Sequence, residues 1–371
     1  MSRAALGSAG DPRPVIVGIV GAGTMGSGIA QVALEAGCEV VLYDVDDVAL
    51  ERGRERIRDG LTRRTAKLGL DPDASDAWVT ARLDRLRHVP TLDGLVDDAD
   101  LVMECALEDL ELKRTVFRTL DEVAEAEVIL ATNTSALSVT EIAEATTRPS
   151  RVIGLHFFNP APLMALVEVV APALADPAVV ARAVSIMSAW GKTPVVCADR
   201  PGFIVNRVNR PFTIEALRIL EAGAARVTEI DEALRADGFP MGPFELMDLT
   251  GIDVSLAAAT GIWDGLGRPE RLRPSPIQEQ LVEGGDLGRK TGAGFYRYAG
   301  ESRIGEAGPP PTSSPDERLA PTAIRDRIVE AIAEEARLAV AEGVAPPDTI
   351  DLALRLGAGH PRGPFEPRVR A

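Results

Sequence analysis

The sequence is short of cysteine, histidine and positive charge, and each shortage closes off a class of function. Its three cysteines, Cys38, Cys105 and Cys197, are widely separated and odd in number. That spacing makes neither a disulfide framework nor a zinc site, and it suits a reducing cytoplasm with each thiol a small core residue. The three histidines are His88, His156 and His360, and no grouping of them supplies ligands for a metal. Basic residues number 40 against 56 acidic ones, a net charge of −16. Nucleic acid and anionic membranes repel such a surface, so neither is expected as a partner. The first fourteen residues lack the apolar segment of a signal peptide and read as a flexible leader. One uncharged stretch, Val15 to Leu34, has the length of a membrane span. Gly18, Gly21, Gly23 and Gly26 interrupt it, and a strand followed by a tight turn explains it better.

What remains is the composition of a globular protein with ample core, 46% hydrophobic and 26% charged. Val15 to Val20 is a β-rich run of the kind found in buried parallel strands. Helical sequence follows to Ala36, with Gly37 as its cap, and Glu39 to Tyr43 is a second strand ending in Asp44. Asp47 to Lys67 reads as a long helix. Beyond a polar stretch come candidate strands at 101–104, 128–131, 152–157, 166–170 and 193–197, with helices at 109–125 and 177–190. This alternation predicts an α/β fold, a Rossmann-type doubly wound and largely parallel sheet over residues 15–200. From Phe203 the pattern is almost entirely helical, which marks a C-terminal domain over 201–298. Residues 299–320, with Pro309-Pro-Pro311 and Ser313-Ser-Pro315, have the composition of a linker.

Past that linker the chain repeats itself. Glu215, Gly223, Ile230-Asp231 and Gly242-Pro-Phe-Glu245 recur as Glu335, Gly343, Ile350-Asp351 and Gly363-Pro-Phe-Glu366. The offset is 120 residues early and 121 late, so 321–371 is expected to be a partial second copy of the helical domain.

Gly21-Ala-Gly-Thr-Met-Gly26 sits where a strand meets a helix, and Asp44 follows the third glycine by eighteen residues. In that setting the first glycine permits the tight turn and the second lets backbone approach a pyrophosphate. The third lets helix and strand pack closely, and the helix N-terminus favours the negative charge. Asp44 can accept hydrogen bonds from both ribose hydroxyls of NAD and would repel the 2′-phosphate of NADP. NAD is therefore the expected cofactor, held by Gly21, Gly23, Thr24, Met25, Gly26 and Asp44. His156 lies in an apolar segment, Gly154-Leu-His-Phe-Phe-Asn-Pro160, where a lone histidine is ordinarily a satisfied core residue. Glu168, in Leu166-Val-Glu-Val-Val170, would be costly there without a partner. A His156–Glu168 pair removes both oddities and makes the imidazole a general base. His88 and His360 lie in polar settings and are expected to be exposed. Ser135, just past a strand end, is a helix N-cap or a site residue. Asn206, in Pro201-Gly-Phe-Ile-Val-Asn-Arg207, faces solvent or a substrate.

These motifs together resemble the 3-hydroxyacyl-CoA dehydrogenases, bacterial 3-hydroxybutyryl-CoA dehydrogenases included, from about Val15 to Tyr298. The resemblance runs through GAGTMGSGIA from Gly21, NTS from Asn133, GLHFFNP from Gly154 and PGFIVNR from Pro201. FPMGPFELMD from Phe239 and GRKTGAGFY from Gly288 extend it. It implies that His156 is the base and Glu168 its partner, with Ser135 and Asn206 donating hydrogen bonds around the reacting oxygen. It further implies that Glu108, Lys113 and Asn133 contact the cofactor. The implied reaction is reversible oxidation of a short (S)-3-hydroxyacyl-CoA by NAD, with no metal. In the helix 47–67, Arg52, Arg54, Arg56, Arg58, Arg63, Arg64 and Lys67 are either a solvated face or contacts for CoA phosphates. Lys67 matches the family's CoA-contacting lysine, while Gly60 stands where some relatives have a CoA-binding serine.

Three other readings share these motifs. One is a dehydrogenase of hydroxyacyl groups tethered to an acyl carrier protein, as in polyketide extender-unit synthesis. Another is a gulonate-like sugar-acid dehydrogenase, and the third a non-enzymatic role like that of crystallin relatives. For the tail, the helical stripe Ile328, Ile332, Ala336 and Val340 needs a face to bury. A linker of about twenty residues spans about 25 Å, enough to fold the repeat back onto the first copy. The expected outcome is a pseudo-dimeric monomer; the alternative is a homodimer with a disordered extension.

Overall fold

The computed structural model describes residues 15–308, 312 and 318–367. The leader at 1–14 lies outside them, as does part of the linker. The chain divides into two compact units, residues 1–199 and 200–371.

The first unit is an eight-stranded sheet. Its elements are β1 (Ile16–Val20), α1 (Thr24–Glu35), β2 (Glu39–Tyr43), α2 (Asp47–Leu68), α3 (Pro72–Leu83), β3 (Leu86–His88), α4 (Leu92–Val96) and β4 (Leu101–Glu104). They continue as α5 (Leu110–Val123), β5 (Ile129–Thr132), α6 (Val139–Ala143), β6 (Val152–Phe157), β7 (Leu166–Ala171), α7 (Pro177–Ala189) and β8 (Thr193–Ala198). The strand order is β3-β2-β1-β4-β5-β6-β7-β8, a doubly wound sheet whose order reverses beside β1. Every pairing is parallel except β6 with β7. Val17, Ile19, Val40, Leu42, Leu101, Met103 and Ile129 form its buried centre. The membrane-length stretch at 15–34 resolves into β1, a glycine turn and α1, and no described helix is long and apolar enough to cross a membrane.

The polar stretch after α2 hides a further helix, α3. Asp71 caps it by accepting from the Ala74 N–H at 2.8 Å, and Pro72 takes the first helical position. The weak apolar periodicity there concealed a start signal that was present in the sequence.

The second unit holds α8 (Val205–Val208), α9 (Arg210–Glu221), α10 (Val227–Ala236), α11 (Pro243–Thr250), α12 (Ile252–Gly265) and α13 (Pro276–Glu283). A hairpin follows, β9 (Tyr296–Ala299) with β10 (Ser302–Glu306), and then α14 (Pro321–Ala341) and α15 (Pro347–Gly357). The hairpin corrects the linker assignment, since β10 lies inside 299–320. Tyr296 and Tyr298 alternate inward, and Gly300 turns the chain with a φ of 60°.

The repeat is visible in hydrogen bonds as well as in sequence. Asp231 Oδ1 accepts from the Phe244 N–H at 2.9 Å, and Asp351 Oδ1 from the Phe365 N–H at 2.9 Å. Gly242 and Gly363 leave no room for a Cβ beside those two aspartates. The second copy folds onto the first, with α14 lying along α9 and α10 and reaching α8. Their contacts are reciprocal. Arg207 Nε donates to Glu335 at 2.8 Å, and its repeat counterpart Arg327 donates to Glu215 at 2.5 Å. A Cβ on Gly238 would sit 3.1 Å from Pro361, and one on its counterpart Gly359 would sit 3.1 Å from Pro240. This exchange of equivalent partners is the signature of two-fold packing, here within one chain. Ile328, Ile332 and Ala336 are buried as expected, while Val340 is half-buried and Ala339 takes its place. The shift follows from the helical repeat of 3.6 residues, which rotates a strict i, i+4 stripe out of the interface.

Candidate active site

The glycine turn is shaped for a dinucleotide. Gly21 has a φ of 97°, and a Cβ there would lie 2.8 Å from the Cys105 carbonyl. A Cβ on Gly26 would sit 1.9 Å from the Gly21 carbonyl oxygen, so any side chain would push α1 off β1. Beside Gly23 there is open space for 4 Å, which is where backbone must admit a phosphate. Thr24 and Met25 begin α1, whose first turn has no side-chain cap and no acidic residue. Its N–H groups and positive dipole end are therefore available to an anion. Asp44 lies across the turn, its Oδ2 accepting from the Ala22 N–H at 2.7 Å. These residues fit NAD.

At the ends of the neighbouring strands, Asn133, Ser135 and Glu108 form one braced corner. Glu108 Oε1 accepts from Thr134 Oγ1 at 2.6 Å and from the Ser135 N–H at 2.9 Å. Asn133 Oδ1 accepts from the Phe157 N–H at 2.9 Å, tying the end of β5 to the residue after His156. Lys113 is sunk beneath this corner, 1% exposed, donating to Glu104 Oε1 and Oε2 at 2.8 and 2.9 Å. Its ammonium also lies 3.5 Å from Glu108. Glu104 was missed in the sequence. It is wholly buried and further accepts from Thr132 Oγ1 at 2.7 Å and the Ala106 N–H at 2.6 Å. The signal was an acidic residue ending the apolar strand Leu101-Val-Met-Glu104, where an unpaired carboxylate would be costly.

The antiparallel pairing of β6 and β7 makes the catalytic candidate possible. His156 and Glu168 are register partners, so both side chains leave the same face of the sheet. His156 Nδ1 lies 2.6 Å from Glu168 Oε2, with the two residues 4% and 0% exposed. The Phe158 ring packs against the imidazole at 4.6 Å. A carboxylate on Nδ1 fixes the tautomer and leaves Nε2 as the proton acceptor. The other histidines divide. His88 is exposed as expected, but His360 is 7% exposed, against expectation. It lies in the second unit, its ring 4.9 Å from that of Phe239 and its Nε2 2.7 Å from Asn209 Oδ1.

Four of the seven cations of α2, Arg56, Arg63, Arg64 and Lys67, line a cleft of about 400 Å³ with Thr24, Gln31 and the loop 159–163. Arg52, Arg54 and Arg58 are not on it. Next to Gly60 the space a side chain would need is filled by the Gln31 carboxamide, so Gln31 supplies the polar group on that wall. Asn206 belongs to α8 in the second unit.

Profiles of known families match both units. One described as "3-hydroxyacyl-CoA dehydrogenase, NAD binding domain" covers residues 16–200. Another, "3-hydroxyacyl-CoA dehydrogenase, C-terminal domain", covers 202–298 and 324–368. The chain is 44% identical over 286 residues to 3-hydroxyadipyl-CoA dehydrogenase of Escherichia coli, a match spanning 77% of this chain and 59% of that protein. It is 42% identical to the mitochondrial hydroxyacyl-coenzyme A dehydrogenase of Rattus norvegicus, over 76% of this chain and 90% of that one. A crystal structure of 3-hydroxybutyryl-CoA dehydrogenase from Escherichia coli superposes with a TM-score of 0.84 at 35% identity. That match covers 95% of this chain and 90% of the other.

Proposed function

The chain belongs to the 3-hydroxyacyl-CoA dehydrogenase family, and from that premise we propose that it reversibly oxidises a short (S)-3-hydroxyacyl-CoA to the 3-oxoacyl-CoA with NAD. The observation that carries the chemistry is the buried His156–Glu168 pair. His156 Nε2 takes the proton of the 3-hydroxyl, and the imidazolium that forms is stabilised by the carboxylate at Nδ1. In the reverse direction the imidazolium returns that proton to the forming alkoxide. NAD, when bound, supplies the hydride acceptor for C3. Gly21, Gly23, Thr24, Met25, Gly26 and Asp44 would hold it, with Glu108, Lys113 and Asn133 shaping the corner beyond. Ser135 and Asn206, assigned through their motifs, steady the oxygen whose charge changes.

Arg56, Arg63, Arg64 and Lys67 suit the phosphates of a CoA handle. A sugar acid has no use for that cleft, and the relatives' names favour CoA over a carrier-protein thioester. A non-enzymatic role leaves the His156–Glu168 pair without a purpose. We extend the proposal to quaternary structure: the C-terminal repeat packs on the first helical copy as a pseudo-partner, and one chain is the working unit. A cytoplasmic location accords with three cysteines that form no disulfide. Steady-state rates with (S)-3-hydroxybutyryl-CoA, the matching carrier-protein thioester and L-gulonate, each with NAD and NADP, test the substrate reading. The expected order puts the CoA thioester with NAD first. A faster reaction with either other substrate, or with NADP, contradicts it.

A further inference from the structure

The one-turn helix α8 carries Asn206 just ahead of two residues that the C-terminal repeat grips. Arg207 is fully buried and donates from Nε to Glu335 at 2.8 Å. Its terminal nitrogens reach the two oxygens of Glu342 at 2.7 and 2.9 Å. Asn209, at the end of α8, meets His360 at 2.7 Å. The loop leading in has Gly202 and Phe203 at φ of 78° and 50°, and for phenylalanine the left-handed region is strained. A single helical turn has almost no stability of its own. What grips α8 therefore decides where it sits.

The repeat separates grip that any two-fold packing needs from grip found only at α8. Arg207 and Glu335 match Arg327 and Glu215, and the four form two equivalent ion pairs. Glu342 has no such match, because its counterpart in the first copy is Ala222. The His360–Asn209 bond likewise corresponds to Phe239 and Val329, which cannot form one. The residue matching Asn206 is Asp326. Two of the additional polar contacts thus fall on or beside α8, the element that carries Asn206, while another, Arg362 to Asp237, falls at the end of α10.

We propose that Glu342 is a positioning residue for the reaction: from the C-terminal repeat it holds Arg207, and with it the helical turn α8 that carries Asn206. This rests on the reading of Asn206 as a site residue. The Arg207 guanidinium beside Glu342 holds its carboxyl below the usual range, so the pair stays charged at neutral pH. Weakening it leaves a buried guanidinium short of a full acceptor, a cost that a shift of α8 relieves. Displacements on the order of 1 Å at such a contact cost up to about 10²-fold in rate.

The test is a double-mutant cycle in the full-length protein with Glu342→Gln, Asn206→Ala and the pair. Arg337→Ala, which breaks two exposed ion pairs elsewhere on α14, is the control. The readouts are kcat and KM for (S)-3-hydroxybutyryl-CoA, NAD affinity without substrate, and melting temperature. Glu342→Gln is expected to lower kcat roughly tenfold with NAD affinity unchanged. On the Asn206→Ala background it is expected to cost nothing more, and the control is expected to keep wild-type kcat. Wild-type kcat in Glu342→Gln overturns the proposal, as does a loss that multiplies with that of Asn206→Ala. Wild-type turnover in Asn206→Ala alone overturns the reading of Asn206, and the proposal with it.

Discussion

His156 was legible because two oddities in the sequence explain each other. A histidine and a glutamate, each alone in an apolar strand, are cheap to bury only as a pair, and the structure joins them at 2.6 Å. Glu104, ending an apolar strand, poses the same problem, and buried Lys113, whose sequence signal is its motif alone, answers it. His360 resisted for a different reason. Its own neighbours, Gly359 and Pro361, look like exposed turn, and the cover comes from Phe239 and Asn209 far upstream. His156→Ala is expected to lower kcat by roughly 10² to 10⁴ while leaving NAD affinity unchanged. Glu168→Gln is expected to lose less, because the imidazole keeps a hydrogen-bond partner but not its counter-charge. Near-normal turnover in His156→Ala, measured under saturating substrate, would return that residue to a packing role.

Elements were readable where a periodic face or a cap announced them. The long basic helix is bounded by Asp46, which accepts from the Val48 N–H, and by Gly69 at a φ of 70°. The strand that carries Glu168 was expected, but its direction was not, since direction depends on which edge of the sheet it joins. The β9–β10 hairpin was lost in a stretch whose composition suggested a linker. The docking of α14 and α15 rests partly on His360, and burial pushes its pKa down to about 4. A histidine depressed below its unfolded value near 6.5 contributes stability above that value. The contribution disappears as pH falls from about 6.5 to about 4, a change of roughly 3 kcal/mol. Asp231 and Asp351, whose carboxyls are raised by burial, titrate in the opposite sense. The comparison with His360→Gln isolates the histidine. Thermal melts across that range are expected to show a steeper acid loss for the wild type than for the variant. Parallel curves would mean His360 is not held neutral by the fold.

At the scale of the whole molecule, the repeat could be read from Glu215 and Glu335, or Gly242 and Gly363, long before any contact was visible. Its two-fold packing could not, because reciprocity is a relation between pairs: Arg207 with Glu335 against Arg327 with Glu215. Isologous interfaces ordinarily join two subunits and leave each dependent on the other. Here both copies belong to one chain, and the proposal that follows is that one chain suffices for NAD-dependent 3-hydroxyacyl-CoA oxidation. Active-enzyme sedimentation tests it in one measurement, following NADH formation from (S)-3-hydroxybutyryl-CoA and NAD as the protein moves through the cell. The account predicts a single active boundary with the mass of one chain. Activity confined to a boundary of two chains, or a one-chain boundary without activity, would contradict it.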